Sequence, residues 1–182
     1  MAEQSARVII LDRDGVINWD SKEYIKSPEE FNFIPGSDIA IAKLSQLGFK
    51  VYICTNQAAI NRGLFTVDVL SAIHAKLQSR VHELGGEIAA IFFCPHTPEE
   101  NCSCRKPQPG LIKQVIDMHQ IQDTSSLYMV GDSLKDLQAI AAVGGQPILV
   151  TTGNGKDTAA SGKIPLNTQT YTSLLDFVNT LS

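Results

Sequence analysis

Two carboxylates one residue apart, Asp12 and Asp14, follow the apolar run Val8–Leu11 and precede Gly15. A strand that stops at Asp-x-Asp delivers both acids to the edge of a sheet. The first can then serve as a nucleophile or metal ligand, and the second as an acid or base. Such a pair needs a third oxygen donor for a cation, donors for a charged substrate, and a cover. Asp132 follows another apolar run. Together Asp12, the backbone carbonyl of Asp14 and Asp132 could give three oxygens to Mg²⁺, a hard cation that favours octahedral oxygen coordination. Thr55 and Asn56 offer a hydroxyl and an amide to phosphate oxygens, and Lys106 offers a positive charge. Phosphoryl transfer asks mainly for positioning and charge neutralisation. A carboxylate beside Mg²⁺ can attack phosphorus and form an aspartyl-phosphate.

A second cluster is Cys94-x-His96-x₅-Cys102-x-Cys104. Three thiols and an imidazole make a tetrahedral structural zinc set with no position left for water. The C-x-C spacing is tighter than that of the common fingers, and the alternative is reduced thiols in a polar loop. As a zinc loop, its task would be to fix the segment that aims Arg105 and Lys106. Cys54 reads as a core residue, and His74, His82 and His119 as packed or solvated helix residues rather than ligands.

The elements that must position these groups follow from periodicity. Apolar runs at 8–11, 49–54, 88–93, 127–130 and 147–150 read as strands, without the alternation of a half-exposed sheet. Helical spacing follows Pro35-Gly36, with Ser37 or Asp38 as N-cap, and again follows Thr66, Pro109 and Ser133. A last short helix covers about 173–181. Residues 17–35 read as a long ordered loop over the first strand end, and 151–162, rich in Gly, Thr and Ala, as a mobile loop. The βαβαβαβαβα order with continuous apolar strands means a parallel sheet covered on both faces. Ligands of such sheets sit beyond the carboxyl ends of the strands. Asp12 and Asp14, then Thr55-Asn56-Gln57, then Cys94 and His96, then Asp132 all fall on that one rim. Each piece alone has a structural reading. Asp-x-Asp-Gly could be a turn, Thr-Asn-Gln a cap, Asp132 or Ser133 an N-cap, and Lys106 a solvated charge. Asp136, one helical turn beyond Asp132, could support the cation, cap the helix or face solvent.

Length and composition bound the class. The 182 residues suit one domain with its own core, and 43% hydrophobic with 19% charged residues is ordinary for a globular protein. A net charge of -4 argues against nucleic acid as a partner. No apolar run reaches the ~20 residues that span a bilayer. Met1–Ser5 carries no secretory pattern, which points to a cytoplasmic location, where four cysteines are not a disulfide framework.

The segments Asp12-Arg13-Asp14-Gly15, Thr55, Lys106 and Gly131-Asp132 resemble the four motifs of the haloacid dehalogenase-like phosphatases, over Val8 to about Thr152. The resemblance implies a doubly wound α/β sheet of order 5-4-1-2-3, and the short chain leaves no room for a large cap domain. It implies Asp12 as nucleophile, Asp14 as acid and base, Thr55 and Lys106 as holders of the phosphoryl group, and Asp12, Asp14 and Asp132 as Mg²⁺ ligands. The longer segments Asp12–Asn18, Thr55–Gln57 with Arg62-Gly63, Cys94-Pro95-His96 and Cys102–Pro107 are similar to a narrower branch. That branch removes the 7-phosphate of D-glycero-D-manno-heptose 1,7-bisphosphate during lipopolysaccharide precursor synthesis. Histidinol-phosphate phosphatases share the Cys/His loop and are the alternative. The branch implies sugar contacts from Asp20, Ser21, Lys22, Glu23, Asn56, Gln57 and Ala58, from Arg105 beyond the reacting phosphate, and from position 133. Ser133 stands where a Lys is expected in some of these enzymes, which leaves the charge around the substrate open. The small size permits a monomer covered by loops alone. A phospho-acceptor receiver domain would need its acid on the third strand, which here ends in Cys94, and a zinc-dependent binding module would leave the acid set without a purpose.

Overall fold

The computed structural model describes residues 7–181, so Met1–Ser5 lies outside the described residues. The elements are β1 Arg7–Leu11, α1 Ser37–Gln46, β2 Phe49–Asn56, α2 Val67–Glu83, β3 Ala90–Cys94, α3 Gly110–His119, β4 Tyr128–Gly131, α4 Leu134–Ala141, β5 Gln146–Val150, α5 Gly155–Ala160, β6 Gln169–Tyr171 and α6 Leu174–Asn179. The strands form a parallel sheet of order β3-β2-β1-β4-β5-β6. This is the expected five-strand order with β6 added at the edge beyond β5. β6 has no apolar run to announce it. Its three residues, Gln169-Thr170-Tyr171, pair on one side only.

The sheet is covered on both faces, as the continuous apolar strands require. Along β1, Ile9 and Leu11 face one cluster with Ile41, Leu44, Ile73, Leu77 and Phe177, supplied by α1, α2 and α6. Val8 and Ile10 face the other, with Leu111, Ile112, Val115 and Ile140 from α3 and α4. Strand side chains alternate between faces, so a central strand must be apolar throughout. Leu11 pairs with Ile53 and with Val130, which brings Asp12 out between the ends of β2 and β4.

Two local expectations are corrected. Neither Ser37 nor Asp38 caps α1. The N-cap is Gly36 at φ 83°, a conformation glycine tolerates. Ser37 Oγ instead donates to the Ile17 carbonyl at 2.6 Å, and Asp38 pairs with Arg80 at 2.8 Å. Residues 151–162 are not a mobile loop, because they contain α5 and are tied to the β1 and β4 ends. Thr152 Oγ1 donates to the Gly15 carbonyl at 2.6 Å, and Thr158 Oγ1 donates to the Asp132 carbonyl at 2.8 Å. Composition alone did not reveal these tertiary partners. Residues 17–35 are the ordered cover expected, with Ile17, Ile25, Phe31 and Ile34 buried and Lys76 donating to the carbonyls of Pro28 and Phe31. Among the described residues, no helix is long and apolar enough to cross a membrane.

Candidate active site

The first acid sits where β1 ends. Asp12 is buried, and its backbone N–H is held by the Val130 carbonyl at 2.9 Å. Carboxylate oxygens of Asp12, Asp132 and Asp136 lie within 4.8 Å of one another. Opposing this charge is one ammonium. Lys106 Nζ lies 2.8 Å from Asp12 Oδ1 and 2.6 Å from Asp136 Oδ1, and donates to the Cys54 carbonyl at 2.7 Å. Lys106 is 2% exposed, so it is not a solvated surface charge.

The cluster carries more negative than positive charge, and its protonation equilibria show it. Burial, then the charges of Asp136 and Asp132, push Asp12 well above the usual carboxylate range despite Lys106. Burial and Asp136 raise Asp132 to about 7, against hydrogen bonds from Asn154. Burial alone would lower Lys106, but Asp12 and Asp136 outweigh it and hold the amine protonated. Three buried acids against one cation suit a small divalent ion, and the oxygen-only donor set fits Mg²⁺. Asp132 Oδ2 accepts from the Asn154 N–H at 2.7 Å and from Asn154 Nδ2 at 3.1 Å. A Cβ at Gly15 would come within 2.1 Å of that oxygen, so only glycine lets the two strand ends meet here.

Asp14 faces a different environment. Its carboxylate accepts from Arg13 Nη2 at 2.8 Å, Asn18 Nδ2 at 2.9 Å and Gln57 Nε2 at 2.9 Å. Burial would raise its pKa, but Arg13 beside it and these hydrogen bonds hold it below the usual range. Two carboxylates one residue apart are thus driven in opposite directions in the metal-free site, and a divalent cation beside Asp12 and Asp132 would favour the ionised form of Asp12. The Asp14 carboxylate does not join the three-acid cluster, consistent with its backbone carbonyl being the expected cation donor.

An open cavity of about 450 Å³ lies over these groups. Asp12, Asp14, Asp20, Ser21, Lys22, Thr55, Asn56, Gln57, Arg105, Lys106, Asp132 and Ser133, all expected from the sequence, line it. Glu23 and Ala58 do not. Glu23 points into a separate outer hollow with Trp19, and Ala58 is buried in the turn after β2. Two residues expected to meet the substrate are already bonded within the protein. Asn56 clamps the Lys106 backbone, accepting its N–H at 3.0 Å and donating to its carbonyl at 3.1 Å. Gln57 Nε2 donates to Asp14 and to Thr55 Oγ1, each at 2.9 Å. Ser133 is the N-cap of α4 in a capping box with Asp136, its Oγ donating at 2.7 Å to Asp136 Oδ2. Asp136 is therefore both cap partner and ion-pair partner of Lys106, and it is buried rather than solvated.

Arg13, Asn18, Tyr24, His74, Lys135 and Asn154 stand outside the site residues that the sequence points to. Tyr24, Lys135 and Asn154 line the cavity, and Arg13 and Asn18 hold Asp14. His74 is packed, as read, but against Arg13 at 3.3 Å. Burial and Arg13 lower its pKa to about 4, so the ring is neutral. The position of Arg13 between the two acids was the one signal in the sequence that could have drawn attention to it.

The second cluster assembles as expected. Cys94 Sγ lies 3.4 Å from His96 Nδ1, 3.5 Å from Cys102 Sγ and 2.9 Å from Cys104 Sγ. His96 Nδ1 is 3.3 Å from Cys104 Sγ, and Cys102 Sγ is 3.5 Å from Cys104 Sγ. Zinc–sulfur bonds of ~2.3 Å imply tetrahedral edges of roughly 3.5–3.8 Å; the four spacings of 3.3–3.5 Å lie near these, the Cys94–Cys104 pair at 2.9 Å is tighter, and all exceed the ~2.05 Å of a disulfide. Arg105, next along the chain, donates through Nη1 to the His96 carbonyl at 3.0 Å.

Comparison with known proteins agrees with this geometry. A family model described as HAD-hydrolase-like matches residues 103–177. D-glycero-beta-D-manno-heptose-1,7-bisphosphate 7-phosphatase from Neisseria meningitidis is 50% identical over 173 residues, 94% of this chain and 92% of the relative. The enzyme of that name from Pseudomonas putida is 48% identical over 168 residues, 92% of this chain and 95% of the relative. A crystal structure of D,D-heptose 1,7-bisphosphate phosphatase from B. bronchiseptica, complexed with magnesium and phosphate, superposes with a TM-score of 0.94 at 44% identity, covering 96% of this chain and 97% of that one. The acid rim, the Cys/His loop and full-length identity near one half converge, and the chain belongs to the D-glycero-β-D-manno-heptose-1,7-bisphosphate 7-phosphatase family of haloacid dehalogenase-like phosphoric monoester hydrolases.

Proposed function

We propose that this enzyme hydrolyses the 7-phosphate of D-glycero-β-D-manno-heptose 1,7-bisphosphate to heptose 1-phosphate and inorganic phosphate. The observation that carries this reading is the buried acid cluster at the β1 and β4 ends, short of positive charge and facing one cavity with Thr55 and Lys106. The identity of the relatives narrows a phosphomonoesterase to this sugar.

Asp12 Oδ attacks phosphorus, the bond from phosphorus to the sugar oxygen breaks, and Asp14 gives that oxygen its proton. Asp14 then takes a proton from water, the water oxygen attacks the phosphoryl group, and the Asp12–phosphorus bond breaks to free phosphate. The donors around Asp14 keep it ionised in the free enzyme; an arriving phosphate dianion raises its pKa by like-charge repulsion, and Asp14 takes up a proton from solvent that it then gives to the leaving sugar oxygen. Thr55 and Lys106 hold the transferred group. Asp20, Ser21, Lys22 and Arg105 meet the sugar and its second phosphate, with Asn56 and Gln57 acting through Lys106 and Asp14. Asp12, the Asp14 carbonyl and Asp132 would hold Mg²⁺, which would supply the charge that offsets the acids and the phosphoryl oxygens. Cys94, His96, Cys102 and Cys104 would hold zinc, which would fix the loop that carries Arg105 and Lys106. The enzyme works as a cytoplasmic, single-domain monomer without nucleic-acid or membrane partners.

The test is phosphate release from heptose 1,7-bisphosphate, fructose 1,6-bisphosphate and histidinol phosphate, with Mg²⁺ and after its removal. The heptose ester should be turned over fastest, and only with Mg²⁺. Preference for histidinol phosphate, or activity indifferent to Mg²⁺, overturns the reading.

A further inference from the structure

We infer that Arg13 and His74 form a buried support that sets the plane of the Asp14 carboxylate for proton exchange with the sugar oxygen, an assignment resting on the acid–base role proposed above for Asp14. Arg13 lies between the two acids in sequence and borders the cavity, yet its side chain is only 1% exposed. Its Nε lies 3.2 Å from Asp14 Oδ1, and its Nη2 lies 2.8 Å from Oδ1 and 3.1 Å from Oδ2. That fork engages both carboxylate oxygens and so defines the carboxylate plane, which a point charge cannot do.

The remaining nitrogen, Nη1, lies 3.3 Å from His74 Nε2. A guanidinium only donates, so His74 accepts through Nε2 and carries its proton on Nδ1. The Phe31 ring lies 5.9 Å from the guanidinium carbon. His74 belongs to α2, whose neighbouring Ile73 and Leu77 are fully buried in the core. The chain of contacts therefore runs from a fixed helix, through a neutral imidazole and a planar cation, to the acid. A misplacement of about 1 Å in such a group can cost ~10²-fold in rate.

Leaving-group chemistry distinguishes this role from a merely structural one. A sugar alkoxide must be protonated as it departs, whereas the 4-nitrophenolate and acetate of 4-nitrophenyl phosphate and acetyl phosphate need no proton. His74→Phe, which removes the acceptor but fills the space, and Arg13→Lys, which keeps charge but loses the fork, should each lower kcat/KM on heptose 1,7-bisphosphate by roughly 10- to 10²-fold. On the two activated esters the loss should stay within about 3-fold, scaling with the smaller part of the barrier that proton transfer then supplies. His74→Gln, whose amide oxygen can reach the same place, should recover most of the loss. Thermal unfolding is followed for every variant. Equal losses on all esters, or no loss on the heptose ester, overturn the support. If His74→Phe does not fold, Arg13→Lys and the recovery by His74→Gln decide the question. Asp14→Asn serves as the control: if it too fails to discriminate between leaving groups, the acid–base reading of Asp14 falls, not the support alone.

Discussion

Asp132→Asn should make the Mg²⁺-free protein more stable at neutral pH while abolishing its turnover. In the folded state Asp132 titrates at about 7 instead of 3.8, chiefly because it is buried and secondly because Asp136 is beside it. That difference corresponds to about 4 kcal/mol of folding free energy opposed by its ionisation. The sign follows from proton binding. Between pH ~4 and ~7 the folded chain holds a proton on Asp132 that the unfolded chain has released, so stability falls as pH rises through this window and levels off above it. Asparagine is never charged, and its amide oxygen can still accept from the Asn154 N–H and Nδ2 groups now bonded to Oδ2. The variant should thus gain on the order of 2–4 kcal/mol in EDTA at pH 8 and almost nothing at pH 4. For a chain of this size that is roughly 5–12 °C in Tm. Thermal unfolding of both proteins in EDTA from pH 4 to 8 measures it, and saturating Mg²⁺ should stabilise the native sequence and narrow the gap. A variant less stable than the native protein at pH 8 in EDTA, or a gap independent of pH, would refute the reasoning.

Asp12→Asn should fold and lose turnover by at least ~10³-fold, because the amide is no nucleophile; phosphate release checks it. Cys104→Ser should lower bound zinc from one per chain to well below it and reduce turnover through the adjacent Arg105 and Lys106. Elemental analysis alongside activity separates metal loss from simple unfolding.

The fold was legible because each central strand is buried on both faces and therefore apolar throughout, as Ile9, Ile10 and Leu11 show. The edge strand β6 was not, since one-sided pairing of Gln169-Thr170-Tyr171 demands no apolar residue. Site residues at strand ends, Asp12, Thr55 and Asp132, were legible from position alone. What the sequence hid was the commitment of side chains. Asn56 reads as a free amide donor until Lys106, fifty positions on, is seen to take both of its groups. Ser37 reads as a cap until the Ile17 carbonyl claims its hydroxyl. Residues 151–162 read as loose until Asp132 and Gly15 supply partners. In each case a long-range polar partner decided the outcome, and local residue pattern carries no trace of such partners.

Lys106 is carried by a loop, yet loops hold side chains less tightly than strands and helices do. Three independent anchors remove that looseness. Its backbone is clamped at both the N–H and the carbonyl by Asn56 at the end of β2. Its ammonium is fixed by the Cys54 carbonyl of β2, by Asp12 and by Asp136 in the first turn of α4. Its chain neighbours Cys104 and Arg105 are tied to the Cys/His cluster. Asp136 matters most among these, because the same carboxylate that receives Lys106 through Oδ1 caps α4 through Oδ2. A shift of α4 would therefore move the cation and the cap together, which ties the placement of the phosphate-holding charge to the packing of a core helix.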